Sequence, residues 1–122
     1  IFQFGIRSGD KSEFEWGKGK VRTHLFDFAG LDEALCALEG KPVYLTVDLD
    51  VLDPSVFPGT GTPEPGGVSF DALRRALQAC CERARIVGAD VVELSPHYDA
   101  SGASTAVACK IVREMLIALS KQ

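Results

Sequence analysis

Apolar positions along the chain switch repeatedly between two rhythms, one of period two and one of helical period. Ile1 to Arg7 is a short apolar segment running into Ser8-Gly9-Asp10, which predicts a strand and then a turn. Lys11 to Lys20 is charged and interrupted by Gly17 and Gly19, enough for one or two helical turns, and Arg22 to Phe28 holds a brief strand. Leu31, Leu35 and Leu38 share a helical face, and Gly40 stops that helix. Val43-Tyr44-Leu45-Thr46-Val47 is nearly all β-branched or apolar, the pattern of a strand covered on both faces of a parallel sheet. Beyond a Pro/Gly-rich loop, Ser69 predicts the cap of a helix whose apolar positions Leu73, Ala76, Leu77 and Cys80 recur at helical spacing. Ile86 to Leu94 reads as a second buried strand. Ser101-Gly102 then lead into a helix with Val107, Ile111, Met115 and Leu119 on one stripe.

Strands alternating with helices imply right-handed βαβ crossovers, hence an α/β fold with a mainly parallel sheet and helices on both faces. At 122 residues, 46% hydrophobic and 25% charged, the chain suits one domain with its own core. A net charge of −4 argues against nucleic acid or an anionic membrane surface as partner, since both need clustered Lys and Arg. No apolar run reaches the roughly 20 residues of a membrane span, and Ile1-Phe2-Gln3-Phe4 lacks the basic flank of a signal peptide, so a cytoplasmic location is expected. Cys36, Cys80, Cys81 and Cys109 form no C-x-x-C clip and are expected to be reduced, at least three of them as small apolar fillers on helices. The chain opens on Ile, already inside an alternating run, as a strand in the middle of a domain does; an upstream half is expected.

In open parallel sheets ligands bind at the carboxyl ends of strands, so acids that end a strand are the candidates for chemistry. Asp48 and Asp50 follow the Val43 to Val47 run, and two residues apart on an extended strand their carboxylates face one way. Two carboxylates in an apolar mouth repel, and a divalent cation between them resolves the repulsion; equally, Asp-x-Asp at a strand end can simply cap a loop. Asp53 before Pro54 is a turn former that shapes the strand exit and helps orient its neighbours. The loop Pro58 to Gly67 lacks the Lys-Ser/Thr ending of a phosphate cradle and reads as a stiff wall, either the rim of a site or a tight connector. Glu93, in Val91-Val92-Glu93-Leu94, is a carboxylate within an apolar strand and needs a cationic partner. That partner is either a planar cation held beside the metal or a Lys or Arg of the core. His97 on the same rim is either a proton shuttle or a solvated loop residue, and His24 is assigned no role.

Thr46-Val47-Asp48-Leu49-Asp50-Val51-Leu52-Asp53-Pro54, continuing through Pro58-Gly59-Thr60-Gly61-Thr62-Pro63 to Gly66-Gly67, closely resembles a signature of the ureohydrolases, the arginase and agmatinase superfamily. Phe4-Gly5-Ile6-Arg7-Ser8 with Glu13-Phe14-Glu15-Trp16, and Gly88 to Pro96 followed by Tyr98-Asp99, fit in the same order. The resemblance implies a three-layer α/β/α, arginase-like fold of which residues 1–122 are the C-terminal part of a single domain. It implies a hydrolase using two Mn²⁺ ions, with Asp48 bridging the ions, Asp50 chelating one, and Glu93 receiving a small cationic guanidino substrate. Asp53, Gly59, Thr60, Gly61 and Thr62 then support the ligands, and Asp10 falls where arginases hold the substrate α-amino group. Such metals acidify water and so supply hydroxide against a poorly electrophilic guanidinium carbon. The family's usual state is a trimer or hexamer, so a homo-oligomer is expected.

The family's other ligands, a His after paired glycines and an Asp-x-His-x-Asp cluster, lie upstream of the strand where this chain begins, as does its shuttling His. The isolated 122 residues are therefore expected to bind metal poorly and to hydrolyse nothing. Gly5-Ile6-Arg7-Ser8-Gly9, Glu13-Phe14-Glu15-Trp16 and Ser95-Pro96 with Tyr98-Asp99 resemble agmatinases more than arginases, implying cleavage of agmatine to putrescine and urea. An arginase or guanidinobutyrase and a non-catalytic pseudoenzyme are the alternatives.

Overall fold

The computed structural model describes residues 1–121. Its regular elements are β1 (Phe2–Ile6), α1 (Lys11–Gly17), β2 (Arg22–Leu25), α2 (Leu31–Ala37), β3 (Pro42–Asp48), α3 (Phe70–Arg83), β4 (Arg85–Val92) and α4 (Ala103–Leu119). Short 3-10 turns, Leu49–Val51 and Pro96–Tyr98, lie beyond the carboxyl ends of β3 and β4. The order of elements is the one the periodicity predicts.

The pairing is parallel throughout: β1 with β2 and β3 with β4. These are two separate two-stranded sheets among the described residues, not one continuous sheet. A parallel pair needs a long crossover, and α3 supplies it between β3 and β4. Ser69 caps α3 by accepting the Ala72 N–H, and the helix lays Leu73, Ala76, Leu77 and Cys81 inward. Cys81, not Cys80, is the fully buried thiol at this point. At least three cysteines are expected as apolar fillers, but Cys36 and Cys109 stand exposed on their helices, which leaves Cys80 and Cys81.

One core lies between β3, β4, α3 and α4, formed by Val47, Leu49, Leu52, Phe57, Leu73, Leu77, Ile111 and Met115 with their partly buried neighbours. Phe57 comes from the irregular loop after β3 and is completely buried, so this loop is anchored by its own side chain in the core. Among the described residues, α3 and α4 cover one face of β3 and β4. Leu45, Val47 and Val91 pack on the core, whereas the opposite face carries Tyr44, 63% exposed, whose hydroxyl donates to Asp90 at 2.9 Å. Thr46 donates to the same carboxylate at 2.6 Å.

Candidate active site

The carboxyl ends of β3 and β4 are adjacent, because Asp48 pairs in register with Val92. The residues that follow each strand, Asp50 on one side and Glu93 on the other, therefore flank one mouth.

Asp48 is the last residue of β3 and Asp50 lies one turn on, within Leu49–Val51. Their proximity does not come from strand alternation, since the strand has ended. Asp48 Oδ1 accepts the Asp50 N–H at 2.8 Å, which turns the chain and caps the 3-10 turn. Both oxygens of Asp50 are used: Thr60 Oγ1 donates to Oδ1, and Thr62 Oγ1 donates to Oδ2 at 2.9 Å. Arg7, at the end of β1, donates to the Asp50 carbonyl at 2.6 Å and to the Val51 carbonyl at 3.0 Å. Its guanidinium fork thus fixes the same turn from a position 43 residues away in sequence. Arg7 Nε is buried without a hydrogen-bond partner among the described residues.

The carboxyl of Asp48 is held above its ordinary range. Loss of hydration among packed neighbours is the main cause; the Asp50 amide opposes it, the Asp50 charge adds to it, and Arg7 opposes it again. A cation placed between the two carboxylates would remove this conflict.

Asp53 ties the loop shut. Its Oδ1 accepts Ser55 N–H at 3.0 Å and Ser55 Oγ at 2.5 Å, and its Oδ2 accepts the N–H groups of Gly66 and Gly67 at 2.9 and 3.2 Å. These donors, the Ser55 hydroxyl first, pull its carboxyl down to about 2 from 3.8. The folded state thus favours the ionised form: the stabilisation is complete above 3.8 and fades as pH falls towards about 2. Asp53→Asn is expected to flatten the acid limb of the stability curve over that interval. In the wild type the Ser55, Gly66 and Gly67 amide resonances should titrate together with a midpoint near 2. Separate midpoints, or an unchanged acid limb in the variant, would contradict the assignment.

Glu93 corrects the expectation of a carboxylate embedded in an apolar strand. It lies just beyond β4, exposed, and forms no ion pair with a core Lys or Arg among the described residues. Its backbone is left-handed, φ 72°, which is uncommon for a residue with a Cβ and costs roughly 1–2 kcal/mol. The twist ends the strand and directs the side chain out of the ladder.

Asp10 caps α1, accepting Ser12 N–H at 2.7 Å in a capping box with Glu13. Of the loop glycines, Gly59 is buried and Gly61 exposed. His97 is exposed with its ring against Tyr98 at 4.2 Å, and His24 stacks on Phe4 at 4.5 Å. Among the described residues no group of three or more His, Cys, Asp and Glu converges on a metal position.

The sequence profile of the arginase family matches residues 1–118. The chain belongs to the arginase family. It is 48% identical to the agmatinase of Bacillus anthracis over 96% of its own length and 41% of that protein, and 44% identical to the agmatinase of Bacillus subtilis over 99% and 43%. A crystal structure from Clostridium difficile, assigned as an agmatinase, superposes with a TM-score of 0.92 at 48% identity, covering 99% of this chain and 45% of that one. The arginase-like α/β fold is thereby established. It spans about two-fifths of the length of the relatives it matches.

Arg7 is the site residue that sequence reasoning missed. It stands in the Phe-Gly-Ile-Arg-Ser string, but no local pattern shows that its side chain reaches the Asp50 turn.

Proposed function

We propose that this chain is the part of a manganese-dependent agmatinase that holds the guanidinium group and one side of the metal pair, cleaving agmatine to putrescine and urea in the cytoplasm. The observation that carries it is the placing of Asp48 and Asp50 at the end of one parallel strand and the exposed, twisted Glu93 at the end of its neighbour.

The donor chemistry suits Mn²⁺. Both candidates are hard carboxylate oxygens. Asp48 Oδ2 accepts no hydrogen bond among the described residues, and each Asp50 oxygen takes only one threonine hydroxyl, leaving a lone pair. Asp48 and Asp50 would hold the metal from this side, with the remaining ligands coming from the part of the domain present in the relatives. When bound, the metal supplies hydroxide at neutral pH by acidifying water.

The chain's own residues then act as follows. Glu93 pairs with the planar cation of the substrate and sets its carbon over the carboxylate pair, converting encounter into a fixed geometry. Thr60 and Thr62 hold the Asp50 carboxylate in one rotamer. Arg7 locks the turn through two carbonyls and offsets part of the negative charge at Asp48. Exposed Leu116 and Ile117 on α4 support self-association as a homo-oligomer.

The test is a fusion in which the part of the Bacillus anthracis agmatinase left uncovered by the match is joined upstream of Ile1. With Mn²⁺ it is expected to release urea from agmatine in preference to arginine and 4-guanidinobutyrate. Preference for 4-guanidinobutyrate would favour a guanidino acid hydrolase, and a folded, metal-loaded fusion inert to all three would refute the proposal.

A further inference from the structure

Ser104 is completely buried although polar, and it belongs to no catalytic motif. It sits in the first turn of α4. Its N–H donates to Asp99 Oδ2 at 2.7 Å, its hydroxyl also bonds the Asp99 carboxylate, and its Oγ accepts the Gly59 N–H at 2.8 Å. A buried hydroxyl is costly unless bonded, and this one is held on both sides.

Gly59 is where the two arms of the site meet. Its carbonyl accepts the Ser95 N–H at 2.7 Å, two residues past Glu93. The next residue, Thr60, is buried and donates to Asp50. Only glycine permits the approach: a Cβ at Gly59 would lie 2.7 Å from Ser104 Cβ and 3.1 Å from Asp99 Cβ. One hydrogen-bonded path therefore runs from Asp99 through Ser104 to Gly59, and from Gly59 it divides towards Asp50 and towards Glu93.

We infer that Ser104 is a positioning residue, fixing the Gly59 peptide so that the carboxylates of Asp50 and Glu93 keep a set relation across the mouth. This deepens the ureohydrolase proposal and rests on it for the roles of Asp50 and Glu93. Asp99 anchors the path: Ser101 Oγ and N–H occupy its Oδ1 at 2.6 and 3.0 Å, so its remaining oxygen is directed at Ser104.

Amide hydrogen exchange and Mn²⁺-induced line broadening, measured by NMR on the fusion that joins the upstream part of the Bacillus anthracis agmatinase to these 122 residues, test the inference. In Ser104→Ala the Gly59 and Ser95 amides are expected to exchange roughly ten-fold faster relative to the core amide of Ile111, the scale of one lost hydrogen bond. The Mn²⁺ concentration that half-broadens the Asp48 to Asp50 amides should rise about five-fold, on the same principle. Ala108→Gly, a destabilising control on the same helix, should move all amides together and leave the Mn²⁺ titration in place. If Ser104→Ala does not fold, Ser104→Cys keeps the volume with a weak acceptor and should shift the same amides by less. Exchange at Gly59 and Ser95 that merely tracks Ile111, or a loosened loop with an unchanged Mn²⁺ titration, overturns the role of Ser104. A wild-type fusion with no broadening at Asp48 to Asp50 instead sinks the metal assignment, and the exchange comparison then decides on Ser104 alone.

Discussion

Glu93→Gly is expected to abolish agmatine turnover by the fusion protein while leaving the fold at least as stable as before. The two effects have different origins. The carboxylate is the group that the proposed reaction needs to pair with the guanidinium, and losing both the ion pair and its orientation should lower kcat/KM by at least about a thousand-fold. The backbone at this position is already in the region glycine favours, φ 72°. Relief of the roughly 1–2 kcal/mol strain of a side chain there outweighs the roughly 0.5–1 kcal/mol of added unfolded-state freedom that glycine brings. No buried partner is orphaned, because Glu93 has none among the described residues. Activity assays and denaturant unfolding of the same variant check both halves. Turnover within ten-fold of the wild type, or a clear loss of stability, would contradict the assignment of Glu93 as a strained, substrate-facing residue.

Gly67→Ala is expected to be the most damaging small substitution in the loop. A Cβ at this position would lie 2.5 Å from the Leu52 carbonyl carbon and 2.7 Å from Asp53 Cα, so the obstruction is backbone that cannot swing aside. The surrounding ladder leaves little slack: Val68 N–H donates to the Val51 carbonyl at 2.9 Å, Asp53 N–H to the Val68 carbonyl at 3.1 Å, and Leu52 and Val68 form a parallel bridge. Relief requires separating these segments, which also pulls Gly66 and Gly67 away from Asp53. A loss of at least about 3 kcal/mol is expected, the range of severe overpacking with broken hydrogen bonds. Urea-induced unfolding of the isolated chain measures it. A loss below about 1 kcal/mol would mean that the Leu52 to Val68 ladder yields far more easily than its geometry implies. By contrast, Gly61→Ala, with nothing within 4 Å of its Cβ, should be nearly silent.

Much of the site was visible in local chemistry. Asp48, Asp50 and Glu93 could be singled out because charged residues directly after strong strand patterns are rare in a core and common at the ligand end of an α/β sheet. Asp53 before Pro54 announced a turn, and it spends its carboxylate on Ser55, Gly66 and Gly67. The differences from the apolar pattern are also physical. Asp48 and Asp50 are joined by the Asp48 side chain accepting the Asp50 N–H on a 3-10 turn rather than aligned by the pleat, because the strand ends at Asp48 and does not continue to Asp50. The apolar neighbours Val91, Val92 and Leu94 predict a strand through Glu93, but a left-handed residue leaves no signature in apolar periodicity.

The sequence by itself determined the order of strands and helices, the parallel α/β class, the family, and which carboxylates stand at the strand ends, since each follows from spacing and residue type within a few positions. The tertiary structure alone decided that Arg7 reaches across 43 residues to the Asp50 carbonyl, and that Ser104 is buried against Gly59 45 residues away. It also decided that Cys81 rather than Cys80 fills the core. These depend on which surfaces come together once the chain has folded. Hydrogen-bond geometry and close packing over distances of a few ångströms impose that choice, and no rhythm of apolar and polar residues encodes it.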